Sequence, residues 1–156
     1  MVTALPLFLQ WLEGDLVLLE IISSPIDVAR ALAHVRNESC GAVSMFEGDI
    51  RNENNGERVV SLEYEVYAEL FQKEVNKIWA EIQSRWDIHE MAVIQRVGLL
   101  QPGDAGIVIC LSSAHRRDSL DGVSYAIEEF KKRVPVWKKE SNGTDEKWVN
   151  WQPQGA

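Results

Sequence analysis

Apolar residues recur along the first third of this chain with a period of two in some stretches and of three to four in others. Positions 16–22 form an aliphatic run that ends at a Ser-Ser-Pro turn, which predicts a short strand at the edge of a sheet. Positions 26–36 carry apolar residues at helical spacing, which predicts an amphipathic helix that covers a sheet. Positions 41–50 are β-prone and predict a strand that delivers Arg51 to a loop rich in Asn and Gly.

The middle of the chain combines alternating strands with one long helical stripe. Positions 59–67 alternate apolar with polar residues, which predicts a half-buried strand that forms a long hairpin with strand 41–50. Positions 68–86 place their apolar residues on one helical face. Strands are predicted at 89–97 and 105–114, and the second is apolar on both faces, so we expect it to lie at the centre of the sheet.

The last third begins with a helix that Asp118 or Ser119 can cap, whose apolar stripe continues to Val134 and whose last turn carries Lys131. A turn made rigid by Pro135 follows, and positions 147–151 are a possible final strand. The whole order predicts an α+β fold, in which helices pack on one side of a mostly antiparallel sheet.

Composition limits the kind of protein. A length of 156 residues predicts a single domain, 1–156, with an N-terminal arm at 1–15 and a C-terminal tail at 141–156. A net charge of −8 argues against nucleic-acid binding, because a phosphate backbone needs a broad basic face. The two cysteines indicate a reducing cytoplasm, and acidic residues interrupt the apolar opening segment. We therefore expect a cytoplasmic protein without a membrane span or signal peptide.

One basic segment stands out against this acidic background. Residues 131–140 contain five basic residues and one acidic residue, a local net charge of +4. Lys131 lies near the end of the predicted helix and Lys138 follows Pro135 in the predicted turn, so two ammonium groups could converge on one pocket. Such a pocket would favour an anion. The alternative is that these residues complement the helix C-terminus and coat the surface.

A second candidate site lies where strand 105–114 ends. His115 and Arg116 could combine a proton shuttle with an anion clamp, or they could be ordinary surface residues. The scattered histidines and the absence of a CxxC pair predict no metal site, and no glycine-rich phosphate loop or GxSxG motif occurs. An amine crowded by other cations loses proton affinity, so Lys131 and Lys138 could act as acid, base or nucleophile.

Several segments, taken in order, resemble the MoaE family, the large catalytic subunit of molybdopterin synthase. The most specific are SAHR and PVWKKE, which lie about twenty residues apart. The matching segments are FEGDIRNENNG (46–56), VVSLEYEVY (59–67), RVGLLQPGD (96–104), SSAHRRDSLDGVSYAI (112–127) and FKKRVPVWKKE (130–140).

The resemblance implies a sulfurtransferase of molybdenum cofactor biosynthesis that needs no cofactor of its own. Its substrate would be cyclic pyranopterin monophosphate and its product molybdopterin. Sulfur would come from a small ubiquitin-like, MoaD-like partner whose C-terminal Gly-Gly thiocarboxylate enters a pocket of this subunit. The family assembles as a homodimer of large subunits with one small subunit at each end, a heterotetramer, and its fold is an α/β hammerhead.

The resemblance also implies residue roles. Lys131 and Lys138 would be the catalytic pair. The residues expected to bind substrate are Asp49, Ile50, Arg51, His115, Arg116, Lys131, Lys138, Lys139 and Glu140. One departure concerns Gln95, which precedes Arg96 where the family commonly has His-Arg, so any role that needs an ionisable group there is in doubt.

Two further hypotheses come from other classes of protein. The chain could be a non-catalytic adaptor that binds a Gly-Gly tail, although retention of both lysines argues against it. It could also be an anion-binding hydrolase with His115 as general base, which predicts activity without any thiocarboxylated partner.

Overall fold

A computed structural model of the chain describes residues 17–149. Within that range it contains three helices, two four-stranded sheets and a two-stranded ribbon. The helices are α1 Val28–Val35, α2 Ala68–Arg85 and α3 Arg116–Arg133. The strands are β1 Val17–Ile22, β2 Ala42–Asp49, β3 Glu53–Asn54, β4 Glu57–Arg58, β5 Ser61–Val66, β6 Ile88–Arg96, β7 Gly98–Leu100, β8 Ala105–Ser113, β9 Val136–Ser141 and β10 Glu146–Val149.

The first sheet has the strand order β1-β6-β8-β2. β1 pairs with β6 in parallel, whereas the β6–β8 and β2–β8 pairs are antiparallel. β8 is internal and buried along nearly its whole length, and β1 lies at an edge. The predicted positions of both strands and the mostly antiparallel α+β fold are confirmed.

Helices cover both faces of this sheet, so the prediction that they pack on one side is wrong. Ala92 and Ile94 of β6 join the apolar cluster formed with α1. Met91 and Val93, which point the other way along the same strand, join the cluster formed with α2 and α3. The physical reason is visible in the central strands, since a strand that is apolar on both faces needs cover on both.

The second sheet has the strand order β10-β9-β5-β7, and all its pairs are antiparallel. β5 therefore pairs with β9 and β7, and the predicted hairpin between β2 and β5 is wrong. The connecting loop instead forms its own ribbon, β3–β4. Asn55 and Gly56 at its turn have φ values of 51° and 81°, the left-handed conformation that a tight two-residue hairpin requires.

α3 begins earlier than its predicted capping residues. It starts at Arg116 and is capped from the preceding strand, because the Ser113 hydroxyl accepts the backbone N–H of Ser119 at 3.1 Å and donates to the carbonyl of His115 at 2.6 Å. The Ser44 hydroxyl of β2 also donates to that of Ser119 at 2.8 Å in the interior. These contacts fix the start of α3 against the first sheet.

The segment after Pro135 is a strand, so the prediction of a rigid turn around Lys138 is wrong. Pro135 does end the helix, since proline has no N–H for a helical hydrogen bond, but the following residues extend along β5 as β9. The final strand is confirmed in its described part, Glu146–Val149. The arm at 1–15, residues 150 and 151 of the predicted strand, and the end of the tail lie outside the described residues.

Both cysteines are free thiols. Cys110 lies inside β8, and burial raises the pKa of its thiol to about 11, so it packs as an apolar side chain. No helix between residues 17 and 149 is long and apolar enough to cross a membrane.

Candidate active site

Two adjoining cavities meet at the two predicted catalytic lysines. The larger has a volume of about 680 Å³ and the smaller about 190 Å³. Residues that line both are Asn54, Tyr64, Ile107, Lys131 and Lys138. Both lysines therefore line the same two cavities.

The two lysines lie on either side of the connection between α3 and β9. Lys131 lies in the last turn of α3, and the backbone N–H of Val134 closes that turn on the carbonyl of Phe130 at 2.9 Å. Pro135 then ends the helix, and Lys138 follows on β9, opposite Tyr64 of β5. Two cationic groups seven positions apart in sequence thus line the same cavities.

The end of β2 supplies another wall of the smaller cavity. Asp49, Ile50 and Arg51 all line it. The backbone of Ile50 is held on both sides, because its N–H donates to the carbonyl of Asp104 at 2.9 Å and its carbonyl accepts the N–H of Gly103 at 2.8 Å. This pairing fixes the point at which Arg51 leaves the strand.

Glu140 is a buried carboxylate in the wall of the smaller cavity. It accepts a hydrogen bond from the Asn54 side-chain amide at 2.8 Å, which ties the β3–β4 ribbon to β9. Six of the nine predicted site residues therefore share this cavity wall: Asp49, Ile50, Arg51, Lys131, Lys138 and Glu140.

Lys139 points away from the cavities, because neighbours on a strand project to opposite faces. Its ammonium lies 3.0 Å from Glu63 and 3.3 Å from Glu146, and 5.6 Å from the ring centre of Trp148. The hydrogen bond to Glu63, followed by that to Glu146, raises the pKa of Lys139. The structure does not bring this predicted substrate-binding residue to the two lysines.

His115 and Arg116 lie at the opposite end of α3 from Lys131. At 1.5 Å per residue, Arg116 and Lys131 are separated by about 22 Å along the helix axis. Both residues of the His-Arg pair are exposed. Within one chain, this pair and the lysine pair cannot contact the same small ligand.

Three polar residues of the cavity walls, Gln95, Asn54 and Tyr64, were not predicted as site residues. Gln95 is buried in the wall of the larger cavity, where its amide nitrogen donates to the carbonyls of Arg96 at 2.9 Å and Gly106 at 3.1 Å. The Gln95 amide thus makes structural hydrogen bonds at the position where the resemblance implies a histidine. Asn54 and Tyr64 do lie in segments that resemble the family, but their meeting depends on strand pairing between distant parts of the chain.

The chemistry available here belongs to side chains. Between residues 17 and 149, no group of three histidine, cysteine, aspartate or glutamate side chains could hold a metal ion. The smaller cavity balances Lys131, Lys138 and Arg51 against Asp49, Glu53 and Glu140. The larger cavity offers three ammonium groups, those of Lys131, Lys138 and Lys147, with amide donors and a phenol, and has no carboxylate among its described lining residues. This set suits an anionic ligand and proton transfer by amines.

The fold and the site define a small α+β protein whose two adjoining cavities share a pair of lysines. The family model of the "MoaE protein" matches residues 21–133. The chain belongs to this family, and the resemblance found in the sequence is confirmed.

Named relatives agree with the family match. The chain is 46% identical over 109 residues to the molybdopterin synthase catalytic subunit of Homo sapiens, covering 70% of this chain and 58% of that protein. It spans between 58% and 65% of the length of the mammalian relatives that it matches. The crystal structure of molybdopterin synthase from Staphylococcus aureus aligns with a TM-score of 0.79 and 35% identity, covering 83% of this chain and 95% of that chain.

A more distant structure shares the fold alone. It comes from the complex of subunits 1 and 2 of the molybdopterin-converting factor of Helicobacter pylori, with a TM-score of 0.69 and 20% identity, covering 84% of this chain and 89% of that chain.

Proposed function

We propose that this chain is the catalytic subunit of a molybdopterin synthase, a sulfurtransferase that converts cyclic pyranopterin monophosphate to molybdopterin. The observation that carries the proposal is the meeting of Lys131 and Lys138 at the junction of two cavities. Two cavities that share one cationic wall suit a reaction between two anionic reactants, a cyclic phosphate and a thiocarboxylate.

The lysines would supply two kinds of assistance. Bringing two anions together costs electrostatic repulsion, which the ammonium groups of the exposed Lys131 and the half-buried Lys138 offset. Each good charge-assisted contact contributes roughly 1.5 to 3 kcal/mol. Sulfur transfer also replaces the donor's acyl–sulfur bond with an acyl–oxygen bond from water, so protons must move, and a positioned amine can move them.

The sulfur donor would be a small ubiquitin-like subunit with a C-terminal Gly-Gly thiocarboxylate. The smaller cavity, at about 190 Å³, suits a slender tail without bulky side chains, and Arg51, Lys131 and Lys138 in its wall offset the acidic side chains of Asp49, Glu53 and Glu140 there. The naming of the Helicobacter pylori structure as a complex of two subunits supports a partner of this kind.

We further propose a homodimer of this chain within a heterotetramer. The supporting observation is the separation of about 22 Å between Arg116 and Lys131 along α3. If both groups bind the substrate, the His-Arg pair at one site must come from a second copy. The proposal also places the chain in the cytoplasm as a single domain, consistent with its two free thiols.

The test is a defined reaction of the full chain, the thiocarboxylated small subunit and cyclic pyranopterin monophosphate, followed by mass spectrometry. We expect the dithiolene product only when the partner carries the thiocarboxylate, and the matched control is the same partner with an ordinary carboxylate.

Two other outcomes would contradict the proposal. Tight partner binding without product would indicate the adaptor, and phosphate-ester cleavage without any partner would indicate the hydrolase. The exposed position of His115, outside both cavities, argues against the hydrolase.

A further inference from the structure

Tyr64 is a cavity residue to which neither the basic segment nor the family resemblance assigns a role. It lies on β5 directly opposite Lys138 of β9 and lines both cavities. Among residues 17–149, its hydroxyl has no hydrogen-bond partner, although it is not sealed from the cavities. Within the described part of the chain, the phenol at the junction of the two cavities therefore has an unused donor.

The ring of Tyr64 packs against the backbone of Gly106, at a position that only the missing side chain of glycine leaves open. A Cβ atom on Gly106 of β8 would lie 2.9 Å from Cε2 of the Tyr64 ring and 3.5 Å from its hydroxyl. The backbone partner of Tyr64 on its other side is Gly98 of β7. The ring therefore rests against the backbone of Gly106, where any larger residue would displace it.

The phenol stays protonated in this position. Burial raises the pKa of Tyr64 because it disfavours the phenolate, and the negative charge of Glu140 raises it further. A neutral O–H in the same cavity wall as Lys131 and Lys138 can donate to an anion without adding a charge that the cavity must accommodate.

We propose that the Tyr64 hydroxyl donates a hydrogen bond to the anionic group held by Lys131 and Lys138. This inference deepens the proposed function and rests on its anionic reactants. The ligand chemistry is an anionic oxygen acceptor, either a phosphate of the pterin substrate or the carboxyl group of a Gly-Gly tail.

The test compares the wild-type chain with Tyr64→Phe, which keeps the ring in place and removes only the hydroxyl. Tyr67→Phe is the matched control, because Tyr67 is exposed, lines neither cavity and donates to Glu69 at 3.2 Å. Two probes distinguish the sources, inorganic phosphate and a synthetic peptide ending in Gly-Gly. Dissociation constants come from NMR titration, and thermal unfolding is measured in parallel.

We expect Tyr64→Phe to weaken binding of at least one probe about 10- to 100-fold, the cost of losing one hydrogen bond to a charged group, with an unchanged unfolding midpoint. The probe affected identifies the group contacted. Equal affinities of Tyr64→Phe and wild type for both probes, an equal loss in Tyr67→Phe, or no binding by wild type would overturn the inference. Neither probe requires turnover, so a wild type that binds through Tyr64 but makes no dithiolene would refute only the proposed function.

Discussion

Lys138→Ala is expected to lower the rate of dithiolene formation roughly 100- to 1,000-fold, the range seen when an enzyme loses one group that stabilises charge in the transition state. The lysine lines both cavities, so its removal leaves the repulsion between the two anionic reactants less well offset. Single-turnover rates with saturating thiocarboxylated partner measure the effect. The free energy of unfolding should change by no more than about 0.5 kcal/mol, because Lys138 is only half-buried and lines the cavities rather than the packed core.

Two variants make the result interpretable. Lys132→Ala removes a lysine of the last turn of α3 that lines neither cavity and whose ammonium lies 3.2 Å from Glu129, and it should leave the rate near that of wild type. Lys138→Arg keeps the positive charge but cannot give up a proton near neutral pH, so recovery in this variant would show that charge alone is needed. Near-normal turnover in Lys138→Ala would refute the assigned role.

Arg133→Met is expected to destabilise the fold by about 2 to 3 kcal/mol, since it strips a partly buried carboxylate cluster of its shared cation. One nitrogen of the Arg133 guanidinium donates to both oxygens of Glu81, at 2.7 and 2.9 Å, and Nε lies 3.6 Å from Glu74. These contacts join Glu74 and Glu81 of α2 to the last turn of α3, two residues beyond Lys131. Chemical denaturation at pH 7 measures the loss.

The stability loss should also depend on pH. The hydrogen bond from Arg133, then that from Tyr125, lowers the pKa of Glu81, and the pKa of Glu74 is lowered first by its hydrogen bond from Lys77 and also by Arg133. A carboxylate whose pKa falls on folding stabilises the protein above its unfolded-state pKa, and this contribution disappears as pH falls through the folded-state value. The difference between wild type and Arg133→Met should therefore shrink below about pH 4.5.

Arg117→Met is the matched control for this measurement. Arg117 lies on the same helix and pairs with Asp121 at 3.0 Å, but its side chain is 86% exposed. An exposed pair of this kind contributes less than about 1 kcal/mol. If the two arginine variants lost equal stability, the ion pairs of Arg133 with Glu74 and Glu81 would not be what stabilises the packing of α3 on α2.

Local sequence patterns predicted much of the first sheet and of the lysine pair. β8 could be placed at the centre because its residues are apolar on both sides, and β1 at an edge because it is short and bounded by a turn. Lys131 and Lys138 could be brought together because Pro135 must end the helix between them. Each of these inferences needs only residues close together in sequence.

The errors share one physical origin, which is pairing between distant parts of the chain. β5 carries an alternating pattern that any antiparallel partner satisfies, so nothing local favours β9 over β2. β9 escaped prediction because its polar residues find partners only after folding, as when Lys139 meets Glu63. Tyr64 was missed for the same reason, since its position opposite Lys138 is a matter of register.

The length of α3 carries a genetic consequence if the proposed homodimer holds. When Arg116 of one copy completes the site built on Lys138 of the other, a chain altered only at Arg116 and a chain altered only at Lys138 are each inactive alone. A mixed pair of these two chains concentrates both defects at one site and leaves the other intact. Two recessive alleles of this kind would then complement each other, whereas two alleles altered within the lysine cavities would not.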